Sequence, residues 1–229
     1  MPIYFDNAAT SPLRKEVIES INEVLLKTYG NPSSNHSFGR KAKNLIENSR
    51  KIIASTLNVS PQEIIFTSGG TESDNMLLRS AVEDLNVKTI ISTKIEHHAI
   101  LHALDYLEKK NISIVYLPLD KNGEFKYKDL DEALSFNDSK KLVSLMHVNN
   151  EIGNMIDLEY ISKICQSRRA LLHTDAVQSV GHYKIDLNKI KIDFLSAAAH
   201  KFHGPKGVGF SFVRKNSGLN PFILGGSQE

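Results

Sequence analysis

Apolar residues recur at helical spacing near the N-terminus and in short strand-like runs after it. Over residues 14–29 they fall at Val17, Ile18, Ile21, Val24, Leu25 and Leu26, and the run stops at Gly30, which predicts an amphipathic helix. NPSSNHS follows and reads as a loop. A second helix is predicted over residues 38–57, with its stripe at Ala42, Leu45, Ile46, Ile52 and Ile53. Strands are then predicted over 63–67, 89–93, 112–117, 142–147, 170–174, 193–196 and 208–213. Helices are predicted between them over 72–85, 97–110, 128–134 and 158–167. This alternation predicts an α/β fold with a mostly parallel sheet flanked by helices. The last strand follows its predecessor too closely for a parallel crossover, so it is predicted to run antiparallel. Ligands of such sheets sit beyond the C-terminal ends of the strands. The polar clusters SGGT, EHH, HVNNE, HTDAVQ and AHK each come just after an apolar run, where that rule puts a site.

Composition narrows the class. With 229 residues, 41% of them hydrophobic, the chain can bury a full core as one large domain or slightly more. Its 28 basic and 26 acidic residues give a net charge of +2 without a long run of one sign, which argues against nucleic-acid and membrane partners. The single cysteine, Cys165, excludes an internal disulfide and fits a reducing compartment. It shares a helical stripe with Ile161 and Ile164, and reads as a buried, inert thiol. No secretory leader and no apolar run of spanning length is visible, so a soluble, cytoplasmic protein is expected.

The candidate chemistry centres on SAAAHKFHGPKGVG, residues 196–209. Small residues before Lys201 let a flat ligand approach the main chain, and the glycines after it bend the loop. A desolvated lysine amine forms a Schiff base with an aldehyde; the plainer alternative is a surface lysine beside a tight turn. SGGTESDN places Gly70 and Thr71 where a strand gives way to a helix, either as a phosphate cup or as a simple N-cap. In EHHAILH, His98 and His102 are four apart, but a third ligand for a metal is missing. His98 or His97 can instead lie flat on an aromatic ring, and His102 reads as solvent-facing. Asp175 in HTDAVQ ends a strand in what should be a buried position. It needs an arginine or a protonated ring nitrogen to answer it. Gln178 and the amides of HVNNE can reach the same crevice. Lysine, phosphate cup and carboxylate together are the parts of a site for pyridoxal 5'-phosphate.

The ordered strings YFDNAAT, YGNPSSNHSFGR, IIFTSGGTESDN, EHHA, LMHVNNEIG, HTDAVQSVG and AHKFHGPKGVGF resemble the cysteine desulfurases of iron–sulfur cluster assembly. These belong to the class V aminotransferase group of pyridoxal phosphate enzymes, and the resemblance runs from Tyr4 to Glu229. It implies a fold-type I large domain over 14–229, with residues 1–13 joining a small domain that is missing. It implies that Lys201 binds the aldehyde and moves the substrate's Cα proton, and that His98 stacks on the ring and assists proton transfers near the substrate thiol. Asp175 is implied to pair with the ring nitrogen and Gln178 with the phenolic oxygen. Asn150 is implied to lie near that oxygen and the substrate carboxylate. Gly70, Thr71 and His200 are implied to hold the phosphate. The implied reaction takes sulfur from L-cysteine, leaves L-alanine and forms an enzyme persulfide for a scaffold or other sulfur acceptor, in a homodimer. Alternatives are a selenocysteine lyase-like or aminotransferase relative, or a non-catalytic cofactor-binding piece. Two departures stand out. Ala198 replaces the usual serine three residues before the lysine, losing a phosphate donor. Family chains also continue past GGSQE to a cysteine-bearing loop, so this chain is expected to be C-terminally truncated and inactive alone.

Overall fold

The computed structural model describes residues 2–225; Gly226 to Glu229, the end of the GGSQE string, lie outside the described residues. Among the described residues seven strands form one sheet: β1 (Ile64–Thr67), β2 (Thr89–Ser92), β3 (Ser113–Tyr116), β4 (Lys141–Ser144), β5 (Leu171–Asp175), β6 (Phe194–Ala198) and β7 (Gly209–Val213). Their order is β1-β7-β6-β5-β4-β2-β3. Only β7 is reversed, pairing antiparallel with both β6 and β1, while the other pairings are parallel. The connection from β6 to β7 has no room for a crossover helix, which is why the predicted antiparallel partner forms there.

Among the described residues the α-helices are α1 (Lys15–Lys27), α2 (Ser37–Leu57), α3 (Gly70–Glu83), α4 (His98–Glu108), α5 (Tyr127–Ser135) and α6 (Leu158–Ser167), of which α2 to α6 cover the sheet. On one face Leu77, Leu78, Ile100 and Leu104 of α3 and α4 pack on Ile90, Leu142 and Phe194. On the other face Ala54, Leu57, Leu130, Ile161 and Cys165 pack on Ile91, Val143, Leu172, Leu195 and Phe212. Neighbouring strand residues such as Ile90 and Ile91 thus serve opposite cores, as a two-residue period requires. Each fully buried leucine contributes roughly 1.5–3 kcal/mol. α1 contributes nothing of the kind, because none of its residues is buried.

Among the elements that differ from the pattern-based expectation where the chain turns toward the strand ends are α3 and β4. α3 begins at Gly70, two residues before the predicted start at Glu72, so Gly70 and Thr71 sit in its first turn. β4 stops at Ser144 rather than His147. There Ser92 Oγ donates to the Ser144 carbonyl (2.8 Å) and Thr174 Oγ1 to the Leu145 carbonyl (2.8 Å), while Leu145 N and His147 N still donate to the His173 (3.3 Å) and Asp175 (2.9 Å) carbonyls of β5.

Candidate active site

Beyond the C-terminal ends of the parallel strands lies a cavity of about 380 Å³. Its lining includes Gly70, Thr71, Asn150, Asp175, Gln178, His200 and Lys201, so seven residues singled out in the sequence meet in one place.

The lysine sits where β6 runs out. After Ala198 the chain makes a one-turn 3-10 helix, Ala199–Lys201, which turns the lysine side chain back over the strand ends. Burial lowers the Lys201 pKa; Asp175, Asp6 and Glu151 oppose that from their side. Lys201 Nζ donates to the Ala8 carbonyl, and Gln178 Nε2 donates to the same oxygen at 2.8 Å. Two donors are therefore trained on one point. Residues before α1 hold this loop from outside: Ser11 N donates to the His200 carbonyl (2.8 Å), and His203 N donates to Ser11 Oγ (2.7 Å). His200 Nδ1 lies 3.2 Å from Thr10 Oγ1.

Asp175 closes β5 with only 4% of its surface exposed. Burial raises its pKa, against the Val177 N–H that donates to Oδ1 (2.9 Å) and the charges of His97 and Lys201. No arginine answers it in the cavity lining; its cationic neighbours are the lysine and the histidine. At the other end the first turn of α3 presents N–H groups without intrahelical partners. Gly70 is needed there because a Cβ would stand 2.7 Å from Val177 Cγ2. Gly209 is needed for a similar reason, since its Cβ would meet the Gly69 Cα at 2.6 Å. Ala198 also lines the cavity, without the hydroxyl that a serine would offer.

Of the two adjacent histidines, His97 lines the cavity and His98, the one expected there, does not. His97 is the N-cap of α4, and its Nδ1 accepts from Ala99 N at 3.1 Å. His98 begins the helix proper and stacks toward His102 instead, with ring centroids 5.2 Å apart. The preceding residue fixes this register. Glu96 is buried, with Oε1 accepting from Thr93 Oγ1 (2.8 Å) and Oε2 from Met146 N (2.9 Å). Burial pushes its pKa up to about 8. Sequence reasoning also passed over Asp6, Ala8, Asp74 and Glu151, all in the lining. DNAAT carried the only hint for the first two, a polar turn directly after an apolar run.

The donor set fits pyridoxal phosphate: an amine at Lys201, a helix N-terminus for phosphate, and a buried carboxyl for a ring nitrogen. Cys165 is 1% exposed in α6, its pKa pushed up by burial to about 12, and is absent from the lining.

Residues 3–229 match the family model described as aminotransferase class-V. The chain is 46% identical to the cysteine desulfurase IscS of Dictyoglomus turgidum, covering 99% of this chain and 58% of that one. It is 42% identical to the cysteine desulfurase IscS of Methanosarcina thermophila, covering 99% of this chain and 56% of the relative. Among solved structures, a NifS-like protein superposes with a TM-score of 0.94 at 40% identity, over 100% of this chain and 63% of the other. The structure of SspA in complex with cysteine superposes with a TM-score of 0.93 at 36% identity, over 99% of this chain and 66% of that one. The chain thus spans somewhat over half the length of these curated relatives. It belongs to the aminotransferase class-V family, which depends on pyridoxal phosphate.

Proposed function

We propose that this chain is the cofactor-holding part of a cysteine desulfurase. The reaction takes the sulfur of L-cysteine onto a cysteine thiolate as a persulfide and releases L-alanine. The persulfide sulfur then passes to an iron–sulfur scaffold or another acceptor protein. The observation that carries the reading is the convergence of Lys201 Nζ and Gln178 Nε2 on one oxygen, beside buried Asp175 and within one cavity with the start of α3.

Pyridoxal phosphate, when bound, supplies an aldehyde for the substrate's amino group and a ring that draws electron density from the adjacent carbon. Gly70, Thr71 and His200 would hold its phosphate. Asp175 would keep its ring nitrogen protonated, and Gln178 would donate to its phenolic oxygen. Asn150, whose Nδ2 now donates to Glu151 Oε1 (2.7 Å), would lie near the substrate carboxylate. Lys201, with its amine biased toward the neutral form by burial, takes the proton from the substrate's Cα and returns one later. His97 carries protons near the substrate thiol, the role the sequence reading gave to His98. Cys165 does not accept the sulfur, because its thiol is buried in the core between helix and sheet. The accepting thiolate is a different cysteine. Residues 14–229 form the cofactor-holding unit, residues 1–13 its junction with a small domain, and the working enzyme is a cytoplasmic homodimer. Among the described residues no helix is long and apolar enough to cross a membrane.

Borohydride reduction of the pyridoxal phosphate-loaded protein, followed by peptide mass analysis, should fix the cofactor on Lys201. Lys201→Ala should abolish the adduct. An adduct on another lysine, or one that survives the substitution, contradicts the proposal.

A further inference from the structure

Asp74 has no part in the chemistry described so far. It lies one turn into α3, is 1% exposed, and lines the cavity. Its Oδ1 has no hydrogen-bond partner among the described residues. An ionised carboxyl buried in that way is costly unless something answers its charge.

No countercharge beneath it does so. Ser92, Ser144, His173, Ser196 and Ser211, one each from β2, β4, β5, β6 and β7, are fully buried. Two-residue alternation puts them on the sheet face of Ile90, Leu142 and Phe194, under α3. They form a polar row across an otherwise apolar layer. His173 is at its centre, with Nδ1 2.9 Å from Ser144 Oγ and Nε2 3.1 Å from Ser196 Oγ. Nε2 is also 3.6 Å from Asp74 Oδ1. Burial pushes the His173 pKa down to about 3, so the ring is neutral and offers Asp74 no charge. Asp175 is two residues further along β5 and projects to the same face.

The charged and titratable groups around Asp74 come from three elements. β5 brings His173 and Asp175, the segment before α4 brings Glu96 and His97, and the 3-10 turn brings Lys201. His97 and Lys201 favour the ionised form of Asp175. Burial, then the charge of Asp175, raises the Asp74 pKa well above the usual carboxylate range; the Ser196 hydroxyl opposes this and Glu96 adds to it. Two carboxyls in one desolvated place do not both ionise.

We propose that Asp74 is a positioning residue: as a neutral acid facing His173 and flanking Asp175, it leaves the inner end of the cavity with a single negative charge, on Asp175. This rests on the reading that Asp175 meets the ring nitrogen of pyridoxal phosphate, whose basicity that single charge would set. The arrangement resembles a carboxyl pair sharing one proton, with burial deciding which partner keeps it.

Carboxyl-carbon NMR of the cofactor-free chain, labelled at aspartate Cγ, tests the protonation directly. A resonance protonated at neutral pH is expected, absent in Asp74→Asn, with a midpoint that falls by about one pH unit or more in Asp175→Asn. An ionised Asp74 at neutral pH, or a midpoint indifferent to Asp175→Asn, overturns the proposal. Titration with pyridoxal phosphate tests the consequence. Asp74→Asn mimics the neutral acid, so it should keep the cofactor affinity within about twofold and leave the pH midpoint of the visible band in place. Asp74→Leu should weaken binding about tenfold and move that midpoint. Equal effects of both substitutions on the band, or no effect of either, contradict the positioning role. Failure of the wild-type chain to give a visible band would instead count against the cofactor reading, with the NMR result still deciding where the proton resides.

Discussion

His97 and His98 differ by one position in the string and face different surroundings in the fold. Nothing in EHHA separates them, because the choice is made by Glu96, whose two oxygens are tied to Thr93 and to the Met146 N–H. Met146 follows β4, the strand beside β2, so that half of the anchor is invisible to local pattern. His97→Ala should weaken pyridoxal phosphate binding about three- to tenfold, from the ~0.5–1.5 kcal/mol of one ring contact. His98→Ala should leave it unchanged. Absorbance titration of both variants checks this, and equal losses would remove the distinction. That Lys201, Asp175, Gln178, Gly70, Thr71, Asn150 and His200 line one cavity was foreshadowed in the string, where each follows a strand in a polar cluster. Asp74 was not. An acidic residue one turn into a helix usually faces water, and only the packing of α3 on the sheet reverses that.

The elements themselves were the most legible level, since periods of two and of three to four survive in the string. α6 spans Leu158–Ser167, the range its apolar spacing predicts, and α2 starts within one residue of expectation. The errors cluster at the cavity. β4 ends early and α3 starts early because both serve the crevice, and glycine there answers a steric demand rather than ending a helix. The buried Glu96 gives this level its pH dependence. Displacement of its pKa from 4.5 to about 8 favours the neutral acid by roughly 4–5 kcal/mol. A folded-state pKa above the unfolded one gives stability that is full below about pH 4.5 and is lost as pH rises toward about 8. Glu96→Gln should therefore flatten the alkaline fall in unfolding free energy between those limits. Denaturant melts across the window check it, and an unchanged slope would mean that Glu96 is ionised in the fold. His147 acts on the acid side. Burial pushes its pKa down from 6.5 to about 4, so its contribution is full above about pH 6.5 and is lost as pH falls toward about 4.

For the molecule as a whole, net charge and composition argued against nucleic-acid and membrane partners but identified no ligand; the ordered strings identified the family. What they left open is how the surface is used. Leu25 and Leu26 of α1 are 70% and 78% exposed, on a helix with no buried residue. Exposed apolar area of this kind associates. The purified chain should sediment as a concentration-dependent mixture, and Leu25→Glu with Leu26→Glu should shift it toward monomer. A monodisperse monomer before substitution would contradict that.

The reversed strand has a mechanical consequence. β7 brings the chain from the lysine loop straight back beneath the turn that opens α3, so Gly209 and Gly69 touch main chain to main chain. The lysine-bearing loop and the turn that opens α3 are thereby clamped to each other with no side chain as spacer. The spacing between Lys201 and the start of α3 is set at that clamp. A methyl group on Gly209 would stand 2.6 Å from the Gly69 Cα and spread the jaws.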